Sequence, residues 1–514
     1  MITHYHHRAN TSRPTHFLVA VIGILLASFA LRVWDLGGPS LWADEIMTEF
    51  RAQAPLPEAY DNILKTIDQV PFYFLTLRFF PTGNEFLLRL PSALLGVAGT
   101  ALVMFASLRL YGNYNIALLA GVWLTFNPFH IWLSRMARAY ALIFLLSLLV
   151  SYSFIILWRE RRGLGFWVFF TLTSMIAYQT HYSLLALPMA QTILLAMHMR
   201  DKPIFTRRWM IAQMIAVLPT LAWLVMMLLN YTSREPQWGA PPHLTDLALS
   251  FWSLSAGYSG EMSWYAVPGL LVAAGGVLLF ILYGRRQDTD WYWVILLTLP
   301  LGMVFLVSLL SPMNMYTDRY FMALLPALMF MVARGWAAMP RIVWRGALAC
   351  IVITGSVSVV ATLEKDDHQR EDWRSAAAYI QTNYREGDVF VVDRAVTLTS
   401  FQRYFGTEQS LLVLQLSEAE STAYPENNNG RYWVLFRNPD EDIHRLGTMP
   451  EFNPLQPYQS VISDWLLPRR DFVVQYATFD GISVLLVDLN NANAVQDCGT
   501  LGCQQGGQTP IKGL

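Results

Sequence analysis

The chain has 514 residues, of which 54% are hydrophobic and only 14% are charged. Soluble domains carry about 25% charged residues, so this composition excludes a string of soluble domains, and it equally excludes disordered and coiled-coil chains. The 36 basic and 37 acidic residues nearly cancel, which leaves no overall field to attract nucleic acid. Aromatic residues make up 14%, which is typical of a chain with two membrane interfaces to occupy. The composition therefore predicts a polytopic membrane protein.

Apolar runs long enough to cross a bilayer follow one another from the N-terminus to about residue 362. We place about eleven spans. They lie near residues 17–33, 87–108, 115–132, 139–157, 164–179, 184–199, 209–230, 264–283, 291–311, 320–338 and 343–362. The fifth and sixth are short and are separated only by residues 180–183. The first span runs into Asp35 without a cleavage motif, which predicts an uncleaved membrane anchor.

Basic residues are distributed unevenly between the loops. If the N-terminus is cytoplasmic, the inner loops hold compact clusters such as Arg159, Arg161 and Arg162, whereas Arg32 and the other outer basic residues are spread over longer segments. The positive-inside rule favours this orientation, and an odd number of spans then places the C-terminal residues outside. We therefore predict a multi-pass protein of the inner or plasma membrane, with a cytoplasmic N-terminus and an extracytoplasmic C-terminal domain.

The first external loop, residues 34–86, is too long to be a simple connection between helices. Residues 57–65 within it could form a short amphipathic helix at the interface. The loop is rich in acidic residues, among them Asp44 and Glu45. Long loops are usually functional, so we regard this loop as a candidate part of an active site.

After residue 362 the sequence becomes typical of a soluble α/β domain. Helices are predicted at residues 371–384 and 400–405, and strands at 388–393, 411–416, 432–436, 472–477 and 483–488. The fold class is therefore mainly α, with a membrane domain at residues 1–362 and a small extracytoplasmic α/β domain at 363–489. Residues 490–514 form a predicted flexible tail. Its Cys498 and Cys503 either form a disulfide in an oxidising compartment or remain free thiols.

Ionisable residues at the outer ends of the spans are candidates for chemistry, because charge is expensive in a bilayer. Asp44 and Glu45 could supply a general base and its partner, or they could form a solvated acidic turn. Arg138 and Arg319 could bind a phosphate group, although anchoring at the interface is the simpler alternative. His181, in the short loop between two spans, could bind phosphate or relay a proton, or it could be an ordinary interfacial histidine.

Several segments together resemble a known family. In chain order they are Ser40–Glu45, Phe86–Ser92, Asn127–Tyr140, Thr180–Tyr182, Asp318–Tyr320 and Glu371–Val389. Their order and spacing resemble the glycosyltransferase family 39 group of the GT-C membrane glycosyltransferases. That group includes the protein O-mannosyltransferases and the aminoarabinose transferases of lipid A.

The resemblance implies that the chain transfers a sugar from a polyprenyl-phosphate lipid to a protein, lipid or glycan acceptor at the extracytoplasmic membrane face. Asp44 would act as the base and Glu45 would support it. The residues expected to hold the donor phosphate are Arg138, His181 and Arg319, and those expected to bind substrate are Tyr140, Tyr182 and Tyr320. A divalent cation could bind at Asp44 and Glu45, although two carboxylates are an incomplete ligand set. An activated lipid donor requires no nucleotide cofactor.

Two positions depart from the family pattern. Gln69 stands where members commonly have histidine, and Met136 stands where they commonly have an acidic residue. Gln cannot take up a proton at neutral pH, and Met cannot bind a cation through charge. These changes motivate an alternative, a catalytically inactive subunit of a larger membrane complex. A secondary transporter is a third hypothesis, which the lack of an evident inverted repeat disfavours.

Overall fold

The computed structural model describes most of the membrane-spanning part of the chain and the core of the C-terminal domain. The described residues are 15–65, 70–160, 162–230, 241–257, 263–284, 288–310, 316–365, 371–392, 395–406, 412–415, 430–437, 465–466, 469 and 472–491. They divide into two compact units. The first comprises residues 1–36, 56–79 and 89–362, and the second comprises 37–55, 80–88 and 363–514. Parts of the first loop thus belong to the same unit as the C-terminal domain.

The first unit is helical. Its helices are α1 Thr15–Val33, α3 Leu56–Leu64, α4 Phe72–Leu77, most of α5 Glu85–Tyr111, α6 Tyr114–Thr125, α7 Pro128–Ser134, α8 Tyr140–Arg159, α9 Leu164–Tyr178, α10 Ala186–His198, α11 Pro203–Asn230, α12 Leu244–Ala256, α13 Val267–Tyr283, α14 Asp288–Leu310, α15 Leu325–Ala337 and most of α16 Arg341–Lys365. Short 3₁₀ turns occupy Tyr182–Leu185, Trp264–Ala266 and Asp318–Leu324. Helix α3 lies where the short amphipathic helix was predicted.

Within the described ranges, eight helices are long and apolar enough to cross a membrane, which confirms a multi-pass membrane protein. The predicted span at 115–132 is not one straight helix, because α6 and α7 meet at a bend of 59°. Counting that pair as one span raises the total to nine. The predicted spans at 164–179 and 184–199 coincide with apolar helices of less than full length. Every predicted apolar run is therefore helical, although not every one is a full span.

The bend between α6 and α7 is explained by the sequence Asn127-Pro128. Pro128 has no N–H, so it cannot donate to the carbonyl of Leu124 four residues earlier. Arg32 of α1 replaces the missing donor, with its Nη2 at 3.1 Å from the Leu124 oxygen. Asn127 in turn caps α7 by accepting from the His130 N–H at 2.8 Å. The polar backbone exposed by the break is thereby satisfied, as hydrocarbon surroundings require.

The second unit contains a five-stranded sheet in the order β2-β1-β3-β5-β4. The strands are β1 Val389–Val392, β2 Leu412–Gln415, β3 Arg431–Arg437, β4 Val473–Phe479 and β5 Ile482–Asp488. β1 is parallel to β2 and β3, and β5 is antiparallel to β3 and β4. Helices α2 Ala43–Gln53, α17 Trp373–Asn383 and α18 Ala395–Phe405 complete the unit. The predicted small α/β domain is confirmed, and α18 begins earlier than the predicted residue 400.

The core of this sheet is apolar on both faces, since all of β1 and nearly all of β5 are buried. Trp373 and Trp433 are among the largest fully buried side chains. Continuous apolar strands of this kind are typical of a central position in a sheet covered on both faces. Cys498 and Cys503, together with most of the predicted flexible tail, lie outside the described residues.

Candidate active site

Three segments of the first unit meet around one small pocket. Its lining includes Tyr73 and Phe74 of α4, Arg138 and Tyr140 at the start of α8, and His181 in the turn after α9. The Phe72 N–H donates to the Gln179 carbonyl at 3.2 Å, which ties α4 to the His181 turn. These residues are far apart in sequence, so the helical fold itself assembles the pocket.

The loop that presents Arg138 is held by its backbone. The Ser92 hydroxyl of α5 donates to the Arg138 carbonyl at 3.1 Å and is also 2.8 Å from the Tyr73 hydroxyl. Arg135, one turn earlier, donates to the carbonyls of Trp34 and Asp35 just after α1. Backbone contacts therefore fix the position of the loop that carries Arg138.

His181 caps the 3₁₀ turn that follows it, with its Nδ1 accepting from the Ser183 N–H at 3.1 Å. Its ring lies 5.0 Å from the Tyr320 ring, centroid to centroid. Burial, and to a smaller extent the positive charges of Arg138 and Arg319, lower the pKa of His181 to about 3. His181 is therefore a neutral imidazole at physiological pH. With Nδ1 as an acceptor, its Nε2 carries the hydrogen and can donate.

Arg319 and Tyr320 lie in the 3₁₀ turn Asp318–Leu324, which is anchored through its first residue. The hydroxyls of Ser250 and Ser253 on α12 each donate to the Asp318 carboxylate at 2.6 Å. Charge-assisted hydrogen bonds of this length are among the stronger ones in proteins. Helix α12 thus fixes the turn that places Arg319 within electrostatic reach of His181.

The structure accordingly brings together Arg138, Tyr140, His181, Arg319 and Tyr320. Tyr182 does not line the pocket. Its hydroxyl contacts the Met227 sulfur of α11 at 3.6 Å, so it packs between helices. Tyr73 was not predicted as a site residue, because an aromatic side chain in an apolar stretch gives no charge signal in the sequence.

Asp44 and Glu45 lie in the second unit, in the first turn of α2. Glu45 is fully buried and Asp44 is half-buried. Both carboxyl groups thus lie at the positive end of the α2 dipole. The Ala43 N–H at the same end of α2 donates to the Glu371 carboxylate at 3.0 Å.

The rest of α2 is held by the C-terminal part of the same unit. Arg403 of α18 donates to the two carboxylate oxygens of Glu49 at 2.7 and 3.2 Å. The Leu41 N–H donates to the Tyr404 hydroxyl at 2.7 Å, just before the helix begins. The acidic helix of the first loop is therefore an integral part of the second unit, and its two carboxylates have a defined position there.

No protein-family model matches the chain, and no curated protein matches it. Solved structures do. The structure of ArnT from Cupriavidus metallidurans in the apo state aligns with a TM-score of 0.55 at 12% identity, covering 92% of this chain and 98% of ArnT. The same protein bound to undecaprenyl phosphate aligns with a TM-score of 0.53 at 14% identity, covering 92% and 97%. ArnT is an aminoarabinose transferase with the GT-C fold. The chain has the GT-C fold.

The alignment with ArnT covers nearly the whole chain. At this level of identity the likeness shows the fold, and the roles of Asp44, Arg138, His181 and Arg319 remain predictions. Among the residues that the structure describes, no cluster of three or more His, Cys, Asp or Glu could hold a metal ion. Asp44 and Glu45 alone supply two such groups.

The two departures from the family pattern are Gln69 and Met136. Gln69 lies outside the described residues. Met136 is only 3% exposed, and its carbonyl accepts from the Arg138 N–H at 2.8 Å. In the GT-C fold of this chain, Met136 thus shapes the turn that presents Arg138 through its backbone, a contact that does not depend on the identity of its side chain.

Proposed function

We propose that the chain transfers a sugar from a polyprenyl-phosphate donor to an acceptor at the extracytoplasmic face of the membrane. The observation that supports this most directly is the convergence of Arg138, His181 and Arg319 in the membrane unit of a GT-C fold. Two guanidinium groups and a neutral imidazole form a site suited to a phosphate, which can keep its polyprenyl chain in the surrounding lipid.

In the proposed reaction, the bond between the anomeric carbon and the donor phosphate oxygen breaks, and the phosphate leaves with the bonding electrons. Arg138 and Arg319 stabilise the negative charge that develops on it, since preorganised charge lowers the barrier most where charge appears. The Nε2–H of His181 donates a hydrogen bond to the same group. Tyr140 and Tyr320 are proposed to shape the substrate site around it, whereas Tyr182, which packs against Met227, is not.

Asp44 is proposed to accept the proton of the acceptor hydroxyl while that oxygen bonds to the anomeric carbon, and Glu45 to support it. Asp44 is the half-buried member of the pair, so its carboxylate is the more accessible to an acceptor. A divalent cation at Asp44 and Glu45 would be an addition to this scheme, which chelation of divalent metals during the transfer assay would reveal.

The decisive experiment compares Asp44→Asn with Asp61→Asn, an exposed carboxylate of α3 paired with Lys65. Purified protein receives an undecaprenyl-phosphate sugar and candidate acceptors, and transfer is measured by mass spectrometry. We expect Asp44→Asn to abolish transfer with unchanged melting temperature and unchanged undecaprenyl phosphate binding, and Asp61→Asn to retain activity. Full transfer by Asp44→Asn would exclude Asp44 as the base.

The same experiment addresses the alternative, an inactive scaffold subunit. The buried, apolar Met136 at a position that is commonly acidic in the resembling family favours that alternative. Wild-type protein that transfers no polyprenyl-phosphate sugar, yet copurifies with stoichiometric membrane partners, would support the scaffold. The scaffold would be excluded if the wild type transfers sugar and Arg138→Gln loses both this transfer and undecaprenyl phosphate binding.

A further inference from the structure

We propose that the second unit carries a binding site for a neutral, hydroxyl-rich carbohydrate. The site, which we call the C-terminal pocket, is an open pocket of about 230 Å³. Its polar lining comprises Thr382, Asn383, Tyr384, Arg385, Arg431 and Gln475. Assignment of the bound carbohydrate to the acceptor rests on the proposed function, whereas the binding itself does not.

The sheet register places the strand residues of this pocket on one face. Gln475 of β4 pairs with Leu486 of β5, and Arg431 of β3 pairs with Asp488, two residues further along β5. Residues two apart on a strand point to the same face. Helix α17 ends at Asn383 beside this face, where the Asn383 carbonyl accepts from Arg431 Nη2 at 3.0 Å.

The charges in the wall of the pocket are already paired. Arg431 donates to Asp388 at 3.0 and 3.4 Å and lies 3.9 Å from Asp488. Asp388 also accepts from the Trp433 indole N–H at 2.9 Å and from the Arg385 backbone N–H at 3.0 Å. This network fixes the Arg431 side of the wall and balances the Arg431 charge. A rigid, preorganised wall reduces the entropy lost when a ligand binds.

One polar atom of a residue that lines the pocket lacks a donor. Within the described part of the chain, the buried Oε1 of Gln475 has no hydrogen-bond partner. An unsatisfied buried acceptor destabilises a fold, and Gln475 lies beside Leu486, where an apolar side chain could pack. A residue that lowers stability in this way is expected where it serves a ligand. The ligand must supply a donor to Gln475.

The exposed Arg385 side chain offers donors at the rim of the same pocket. A ligand that uses both residues must therefore donate to Gln475 and accept from Arg385, as a sugar hydroxyl does. An anion is disfavoured, because Gln475 presents an oxygen, the C-terminal end of α17 is negative, and Arg431 is already paired. The geometry thus favours a neutral carbohydrate over a phosphate or a carboxylate.

The test uses the full-length protein in nanodiscs made without glycosidic detergent. Saturation-transfer NMR measures binding of D-mannose, D-glucose and N-acetyl-D-glucosamine, with inorganic sulfate as the anionic probe. We expect at least one neutral sugar to bind. Loss of the Gln475 hydrogen bond should weaken that sugar about tenfold in Gln475→Leu and several-fold in Arg385→Gln. Gln402→Leu, on α18 of the same unit, should bind as the wild type does.

Gln475→Leu should also melt at a temperature equal to or above that of the wild type, because it removes the unsatisfied oxygen. Failure of all three sugars to bind, unchanged affinity in both pocket variants, or competition by sulfate would overturn the proposal. Asp44→Asn separates the two proposals, because sugar binding should persist in that variant whether or not transfer is lost. If transfer fails in the wild type but sugar binds, the C-terminal pocket stands and the proposed function falls.

Discussion

The neutral state of His181 makes the stability of this protein depend on pH in a defined direction. Its pKa falls from the usual 6.5 to about 3 in the folded chain, chiefly through burial. His181 is therefore protonated below about pH 6.5 in the unfolded chain, but only below about pH 3 in the folded chain. The contribution of neutral His181 to the free energy of unfolding is fully present above pH 6.5 and is lost as the pH falls toward 3. At pH 5 the difference is 1.5 pH units, or about 2 kcal/mol at 1.36 kcal/mol per unit.

The measurement compares unfolding of wild type and His181→Gln across pH 5 to 7.5, by SDS titration at constant ionic strength. Glutamine can still accept from the Ser183 N–H but does not titrate. We expect His181→Gln to gain about 2 kcal/mol relative to wild type between pH 7.5 and pH 5. Parallel pH profiles for the two proteins would refute a neutral, buried His181. A phosphate lipid should reduce the difference, because its charge offsets the field of Arg138 and Arg319.

Two further substitutions test how each unit is held together. Arg32→Met leaves the Leu124 carbonyl and the His130 Nδ1 without a donor. At about 1–3 kcal/mol for each orphaned acceptor, the free energy of unfolding should fall by roughly 2–6 kcal/mol, measured from the midpoint of an SDS titration. Arg403→Met leaves the buried Glu49 carboxylate without its guanidinium partner and should lower the stability of the second unit by about 1–3 kcal/mol. The second unit should then be cleaved faster by a protease, and an unchanged cleavage rate would contradict this expectation.

The membrane helices were predictable because each span needs many consecutive apolar residues, so a few exceptions do not hide it. The helices of the structure therefore coincide with the apolar runs of the sequence. The strands of the second unit were found for a similar reason, since short β-branched runs separated by turns are specific. The start of α18 was missed because Val396, Thr397 and Thr399 favour strands locally, and packing against the sheet overrides that preference.

The pairing of site residues was only partly predictable. Arg138, His181 and Arg319 were found because charge at the end of an apolar span is rare enough to be noticed. The contributions of Tyr73 and of the Ser250–Asp318 contact depend on which helices are neighbours, and this information is not local in sequence. Division of the first loop between two units was equally invisible, because it follows from long-range contacts such as that between Glu49 and Arg403.

Arg32, which the sequence places among the outer charges, has a structural role. It lies in the last turn of α1 and is fully buried. There it donates to the Ser28 hydroxyl at 2.8 Å, to His130 Nδ1 at 2.9 Å and to the Leu124 carbonyl. Gly96 permits this arrangement, since a Cβ at that position would lie 2.7 Å from the Arg32 Nε.

The position of Arg32 is explained by the break between α6 and α7, because the break leaves a backbone acceptor that needs a donor. Pro128 creates the break, the break exposes the Leu124 carbonyl, and Arg32 satisfies it. The same break redirects the chain through α7, whose end leads directly into the loop that presents Arg138 to the pocket. The bend, the buried Arg32 and the half-buried Arg138 are therefore structurally linked. Arg32 stabilises a costly interruption of a membrane helix, and the same interruption positions the loop that carries Arg138.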